Sequence, residues 1–249
     1  MPRFFVRKDR IIDNNISIIG DDAHHIARSL RMAVGDEITV CDMQGNEYSC
    51  EIASFDDDKE VIAKILSQSS SENEPNIFIT LYQALPKGDK LDTIIQKAVE
   101  CGASKIVPFQ SERCVVKIKS DAEEKKRERR QRIAAEAAKQ CGRSAIPEVR
   151  DSLSFKEALD LASDSDVILF CYEGDGTQSL KGVLKELFEN ENTPNNISIF
   201  IGSEGGFSLK EVDLAKSKGA IMTGLGKRIL RTETASGFVL ACLVCFSEL

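Results

Sequence analysis

The chain has 249 residues, 42% of them hydrophobic and 29% charged, with a formal net charge of -7. That length allows one large or two modest domains with ample buried core, and the composition is that of an ordinary globular protein. No apolar run reaches the ~20 residues of a membrane span, and Met1-Pro2-Arg3-Phe4-Phe5 lacks the apolar centre of a signal peptide, so a cytoplasmic protein without a membrane partner is expected.

Residues 1 to 68 read as short strands, at 3–6, 17–19, 37–41, 48–53 and 61–66. Gly35-Asp36, Gln44-Gly45-Asn46 and Asp56-Asp57-Asp58 punctuate them as turns. This spacing predicts a small β-barrel. One helix, from Asp22 to about Arg31, interrupts it, and His25, Arg28 and Arg31 fall at intervals of three. Such a stripe can touch phosphate or be a solvated face, and spacing alone favours the solvated face. Ser69-Ser70-Ser71-Glu72-Asn73-Glu74-Pro75 is polar throughout. The expected division is a domain over 1–70, a linker over 71–75 and a second domain over 76–249.

Beyond the linker, strands and helices alternate. The apolar run 76–85 is that of a strand buried on both faces. A helix over 90–101, a strand over 106–109 and a long helix from Asp121 to Gln140 follow. Ser154 with Glu157, and later Ser208 with Glu211, form capping boxes that start further helices. Three apolar strands end in loops at Tyr172, Ile201 and Leu225, which predicts a parallel sheet with a ligand crevice at its carboxyl edge.

Eight cysteines are scattered singly apart from Cys242 and Cys245, and both histidines lie near the start. Buried reduced thiols are therefore expected rather than a metal site, since zinc needs four converging ligands. Residues 87–150 carry 16 Lys/Arg against 10 Asp/Glu within an acidic chain. A local basic zone of this kind suits contact with an anionic polymer.

The chemistry gathers in the last quarter. Gly202-Ser203-Glu204-Gly205-Gly206 is not the G-x-G-x-x-G dinucleotide fingerprint, and no Walker phosphate loop is present. Glu204 inside the loop would repel a pyrophosphate, so a neutral or cationic ligand is the better match; the alternative is that the glycines only turn a strand into a helix. Lys227, Arg228 and Arg231 beside Glu233 and Thr234 can orient a phosphate or polarise a carbonyl, with Glu233 as a base, or can form an exposed helix cap.

Together these residues resemble a known family. Gly202 to Ser208 with Glu211, followed by Leu225-Gly226-Lys227-Arg228-Ile229-Leu230-Arg231-Thr232-Glu233-Thr234-Ala235, is similar to the signature of bacterial small-subunit (16S) ribosomal RNA methyltransferases that modify N3 of a uridine, members of the SPOUT superfamily. The likeness extends through Lys87-Gly88-Asp89-Lys90, Lys97, Ser111-Glu112-Arg113 and Glu136-x-x-x-Gln140-x-Gly142-Arg143-x-x-x-Pro147. It also takes in Met1 to Phe5 and His25-x-x-Arg28-x-x-Arg31-Met32, so it covers nearly the whole chain. The family usually has proline where this chain has Ser203, which keeps the turn and loses its rigidity.

The resemblance implies an α/β SPOUT-type methyltransferase domain with a carboxyl-terminal trefoil knot, preceded by a PUA-like RNA-binding β-barrel. It implies S-adenosylmethionine as donor, no metal, a homodimer, and 16S ribosomal RNA as substrate, free or within the small ribosomal subunit. The donor site implied comprises Tyr172, Glu173, Ile201, Gly202, Ser203, Glu204, Gly205, Gly206, Leu225, Gly226, Ile229, Leu230, Arg231 and Thr234. Arg231 would stabilise negative charge on the uracil oxygens and Glu233 or Glu204 would take the proton. Lys87, Arg113, Arg143 and Arg228 would hold RNA phosphates, with His25, Arg28 and Arg31 extending the track. The rival readings are a ribose 2'-O-methyltransferase of the same superfamily and a non-catalytic RNA-binding ribosome-assembly protein.

Overall fold

The computed structural model describes residues 1–56, 59–118, 123–189 and 193–248. Asp57 and Asp58 of the expected turn, and Asp121 at the expected start of the long helix, lie outside the described residues. The chain forms two compact units, Met1–Glu74 with Ala138–Ile146, and Pro75–Ala137 with Pro147–Leu249.

The first unit is built on β1 (Arg3–Phe5), β2 (Ile11–Ile12), β3 (Asn15–Ile19), β4 (Glu37–Cys41), β5 (Asn46–Asp56) and β6 (Glu60–Ser70). They form one sheet in the order β1-β4-β5-β6-β3-β2, with β1 and β4 parallel and the other pairs antiparallel. Alternation along the strands drives Ile16, Ile18, Ile38, Val40, Cys50, Ile52, Val61 and Ala63 into one core, closed by Phe4 and Ile26. Register shifts in β5, between Ser49 and Cys50 and between Ile52 and Ser54, introduce the bends that a strongly curved sheet needs.

Helix α1 (Asp21–His24) passes into a π-helical turn, His25–Ser29, and the backbone is left-handed at Arg31 with φ 53°. The expected uniform helix to Arg31 is thus corrected. A turn closed from i to i+5 breaks the three-residue spacing, and the left-handed residue takes Arg31 out of the helix. His25, Arg28 and Arg31 are all exposed.

The division at the linker differs from the expected one. Glu74, within the segment read as a linker, accepts from Arg143 Nη2 at 2.6 Å, Ser144 N at 2.8 Å and Ala145 N at 3.1 Å. This carboxylate fastens 138–146 to the first unit, where Lys139 also reaches Asp22 at 2.7 Å.

The second unit holds β7 (Phe78–Ala84), β8 (Lys105–Gln110), β9 (Glu148–Val149), β10 (Leu153–Ser154), β11 (Val167–Cys171), β12 (Gln178–Ser179), β13 (Asn196–Ile201) and β14 (Ile221–Gly224). Its helices are α2 (Lys90–Glu100), α3 (Glu123–Cys141, whose last turn belongs to the first unit), α4 (Phe155–Ala162), α5 (Leu180–Phe188), α6 (Leu209–Ser217) and α7 (Thr232–Glu248). Every strand pair is parallel, in the order β10-β8-β7-β13-β11-β14-β12 with β9 beside β8. Both expected capping boxes form, at Ser154 with Glu157 and Ser208 with Glu211.

Aromatic packing stiffens this sheet: Tyr82 stacks on Phe200 at 4.5 Å, and Phe170 meets Phe207 at 4.1 Å between ring centroids. All eight cysteines are free; Cys41, Cys50 and Cys114 are buried as expected, whereas Cys141 and Cys245 are exposed. Among the described residues no cluster of three metal-ligating side chains occurs, and no helix is long and apolar enough to cross a membrane.

Candidate active site

The site follows from strand order. Because β13 lies between β7 and β11, and β14 flanks β11, the chain leaves all four strands at neighbouring points of the carboxyl edge. The loops after β11, β13 and β14 wall a cleft of about 880 Å³, of the size taken by small-molecule ligands.

The loop after β13 is closed by a bond from Gly206 N to Ser203 O at 2.9 Å. A Cβ on Gly202 would stand 3.2 Å from the Phe207 ring and 3.3 Å from Gly206 Cα, and one on Gly205 would stand 3.0 Å from Arg113 Cβ. At both positions a side chain would press on its neighbours, so glycine there leaves bare backbone lining the cleft. Ser203 is buried, and its Oγ has no oxygen or nitrogen partner among the described residues.

Three anchors hold this loop. Thr232 Oγ1 donates to Gly202 O at 2.7 Å and accepts from Gln83 Nε2 at 2.9 Å, joining the start of α7, the loop and β7 beneath them. Arg113 Nη1 donates to Gly205 O at 3.1 Å. The buried Glu211 carboxylate accepts from Ser208 N at 2.9 Å, Ser111 Oγ at 3.1 Å and Glu112 N at 2.9 Å, which ties the Arg113 loop to the start of α6.

Charge concentrates at the mouth. Lys90 Nζ lies 2.8 Å from Glu204 Oε1 and 3.5 Å from Glu233 Oε2, and Lys87 N donates to Glu204 Oε1 at 3.2 Å. Burial works against ionisation of Glu204, but the bonds from Lys90 and the Lys87 amide prevail and hold its carboxyl below the usual range. The Lys90 ammonium is raised, chiefly by its bond to Glu204. Arg228 and Arg231 are exposed on the loop after β14, and among the described residues neither forms an ion pair. Two carboxylates around one ammonium, beside open peptide groups, suit a ligand with a positive centre and polar ends.

Known proteins match this arrangement along the whole chain. A family model for an RNA methyltransferase domain matches residues 72–244, and one for an RNA methyltransferase PUA domain matches residues 18–66. Ribosomal RNA small subunit methyltransferase E of Bacillus subtilis is 36% identical over 252 aligned residues, covering 100% of this chain and 98% of that protein. The Synechocystis protein of the same name is 33% identical, covering 96% of this chain and 76% of that protein. The chain belongs to the RNA methyltransferase family of ribosomal RNA small subunit methyltransferase E. The fold agrees: the crystal structure of the Neisseria gonorrhoeae protein of that name, bound to S-adenosyl methionine, superposes with a TM-score of 0.84 at 29% identity, covering 98% of this chain and 97% of that one.

Against this family frame the expected residues separate into groups. Tyr172, Glu173, Ile201, Gly202, Ser203, Glu204, Gly205, Gly206, Leu225, Gly226, Ile229, Leu230 and Arg231 all line the cleft, as do Arg113 and Arg228. Thr234 does not; it is exposed one turn along, its amide bonded to Arg231 O at 2.9 Å. Glu233 is not among the lining residues; its side chain, 23% exposed, borders the cleft beside Lys90. Lys87 is exposed beside Glu204. His25, Arg28 and Arg31 lie on the first unit.

Arg143 corrects its expected role. It is only 5% exposed, its guanidinium lies against Glu74 and its own carbonyl accepts from Arg3, so it braces the first unit instead of offering charge to a phosphate. Sequence reasoning also missed Lys90, Gln83 and Thr232 as site residues. Lys90 stood in the Lys87-Gly88-Asp89-Lys90 motif, and Gln83 was a lone amide in a strand buried on both faces, which is the signal that such a side chain has a fixed partner.

Proposed function

We propose that this protein transfers the methyl group of S-adenosylmethionine to N3 of a uridine in small-subunit (16S) ribosomal RNA. The observation that carries the reading is the cleft itself: bare peptide groups from three adjacent strand ends, with Glu204 and Glu233 grouped about Lys90 at its mouth. The names of the relatives, and the donor bound to the Neisseria gonorrhoeae protein, support it.

The residues fit the donor. The loop backbones at Tyr172, Gly202 and Leu225 line the cleft and can bond an adenosine and an amino acid. Bound S-adenosylmethionine supplies an electrophilic methyl group on a sulfonium, a cation that the carboxylates tolerate. The uracil imide ionises above neutral pH, so the protein must accept its proton and stabilise the charge left behind. Arg231, exposed at the cleft wall, would bond the uracil oxygens, and Glu233 or Glu204 would take the proton. Arg113, Arg228 and Lys87 would meet phosphates near the cleft, and His25, Arg28 and Arg31 would do so on the first unit.

The assignment of RNA holding to the first unit and of catalysis to the second, and the trefoil threading of the carboxyl-terminal segment, belong to the same reading. So does a homodimer, supported by Phe238 and Phe246 exposed on α7 at 41% and 37%. Mass spectrometry of nucleosides from 16S RNA, free and in small subunits, after incubation with labelled donor tests the chemistry. N3-methyluridine is expected. Label on ribose, or no donor binding by calorimetry, refutes the reading in favour of a hydroxyl-methylating or a non-catalytic protein respectively.

A further inference from the structure

Lys90 is the first residue of α2 and, among the described residues, the single ammonium reaching both Glu204, at 2.8 Å, and Glu233, at 3.5 Å. The two acids are not equivalent. Glu204 Oε1 accepts from Lys90 Nζ and from Lys87 N in the turn before α2, so two donors converge on it. Glu233 lies in the first turn of α7, and its buried Oε2 has no polar partner among the described residues closer than Lys90.

We propose that Lys90 is a positioning residue that holds both carboxylates together at the mouth of the cleft, with Glu204 as the anchor and Glu233 as the acceptor of the substrate's imide proton. The assignment rests on the function proposed above. In the step, the N3–H bond breaks and its proton passes to a Glu233 oxygen. The N3 electron pair bonds the methyl carbon, and the carbon–sulfur pair stays on sulfur as a neutral thioether. One ammonium between two carboxylates leaves a net single negative charge, which matches the sulfonium. Glu204, held below the usual carboxylate range against its burial by the bonds it accepts, is a weakened base and serves as the strut.

The surrounding charges do not substitute for Lys90. On its own element and the turn before it stand Asp89, Asp92 and Lys87; Lys87 contributes its backbone amide. Asp92 is paired with Arg129. From the β8 loop, Arg113 is bound to Gly205 O, and from the loop after β14 and the start of α7 come Lys227, Arg228 and Arg231, none of which pairs with Glu204 or Glu233 among the described residues. Without Lys90, two like charges face each other and at least one is driven toward its neutral form.

The test is the pH dependence of kcat/KM, read as total methyl incorporation into 16S RNA, for wild type and for Lys90→Met, Lys90→Gln and Lys90→Arg. In the two neutral variants the acid limb is expected to move upward by about one pH unit, while Lys90→Arg keeps the wild-type limb. Coincident acid limbs with a uniform loss of rate would reduce Lys90 to a structural role and overturn the proposal. If the neutral variants do not fold by circular dichroism, Glu204→Gln decides. It leaves Lys90 only Glu233 to pair with, so the acid limb should move down, and an unmoved limb refutes the assignment. A wild-type product other than N3-methyluridine sinks the functional reading instead.

Discussion

Replacing Thr232 by valine keeps the shape of the side chain and removes the hydroxyl that holds the donor loop. In the structure that oxygen, on a residue 5% exposed, donates to Gly202 O at 2.7 Å and accepts from Gln83 Nε2 at 2.9 Å. Gln83 is fully buried and keeps only its bond to Ala84 O at 3.0 Å, so one N–H is left without an acceptor. Two lost bonds at about 1 kcal/mol each, plus one orphaned buried donor at about 1 kcal/mol or more, predict a loss of about 3 kcal/mol. Thr232→Ser retains the hydroxyl and gives up one methyl, about 0.8 kcal/mol. Urea unfolding should therefore rank wild type above serine and serine well above valine. Donor titration by calorimetry should weaken about tenfold in the valine variant, because about 1.4 kcal/mol of loop ordering must then be supplied on binding. A valine variant within about 0.5 kcal/mol of wild type would show that the Gln83–Thr232–Gly202 chain does not hold the loop.

Glu74→Ala removes the carboxylate that pairs with the buried Arg143 guanidinium and should cost about 3 kcal/mol or more in urea unfolding; a surface-like loss below about 1 kcal/mol would return Arg143 to the pool of usable cations. Arg228→Ala should weaken RNA binding and flatten the log–log salt dependence by about 0.7 to 0.9 per phosphate lost, whereas an unchanged slope removes Arg228 from the RNA contacts. Glu123 is buried with Arg130 at 2.8 Å, and although burial raises its pKa, the bonds from Ser152 and the charge of Arg130 hold it below the usual value. A depressed folded-state pKa contributes stability above the unfolded value and loses it as pH falls through the folded one. Glu123→Gln should thus be less stable than wild type at neutral pH, and the gap should narrow on acidification below the carboxylate range; a constant gap would refute the linkage.

Local chemistry was readable in advance. Both capping boxes form because serine and glutamate three apart satisfy each other's amides wherever the chain goes next. The three apolar strands ending near Tyr172, Ile201 and Leu225 do lie side by side, since parallel strands buried on both faces leave few other arrangements. The helix after Asp21 was only half readable: nothing in its spacing announced the π turn at His25 or the left-handed Arg31.

Long-range pairings were not legible. Arg143 lies near the end of the long helix next to a glycine, a place that suited an exposed cation, until Glu74 closed on it. Thr232 and Gln83 are separated by 149 residues, and Lys90 and Glu204 by 114.

The sequence by itself determined the long strands and most of the helices, where glycine loops had to turn, and, through motifs spanning nearly the whole chain, the family. The tertiary structure decided which charges are spent on the fold and which remain for chemistry. A side chain's solvation and partners depend on what folds against it, and for Lys90, Glu204 and Glu233 those partners come from three loops that only the strand order brings to one edge. The glycine loop after β13 is therefore half of a site whose other half, Lys90 and Gln83, arrives from β7 and the start of α2.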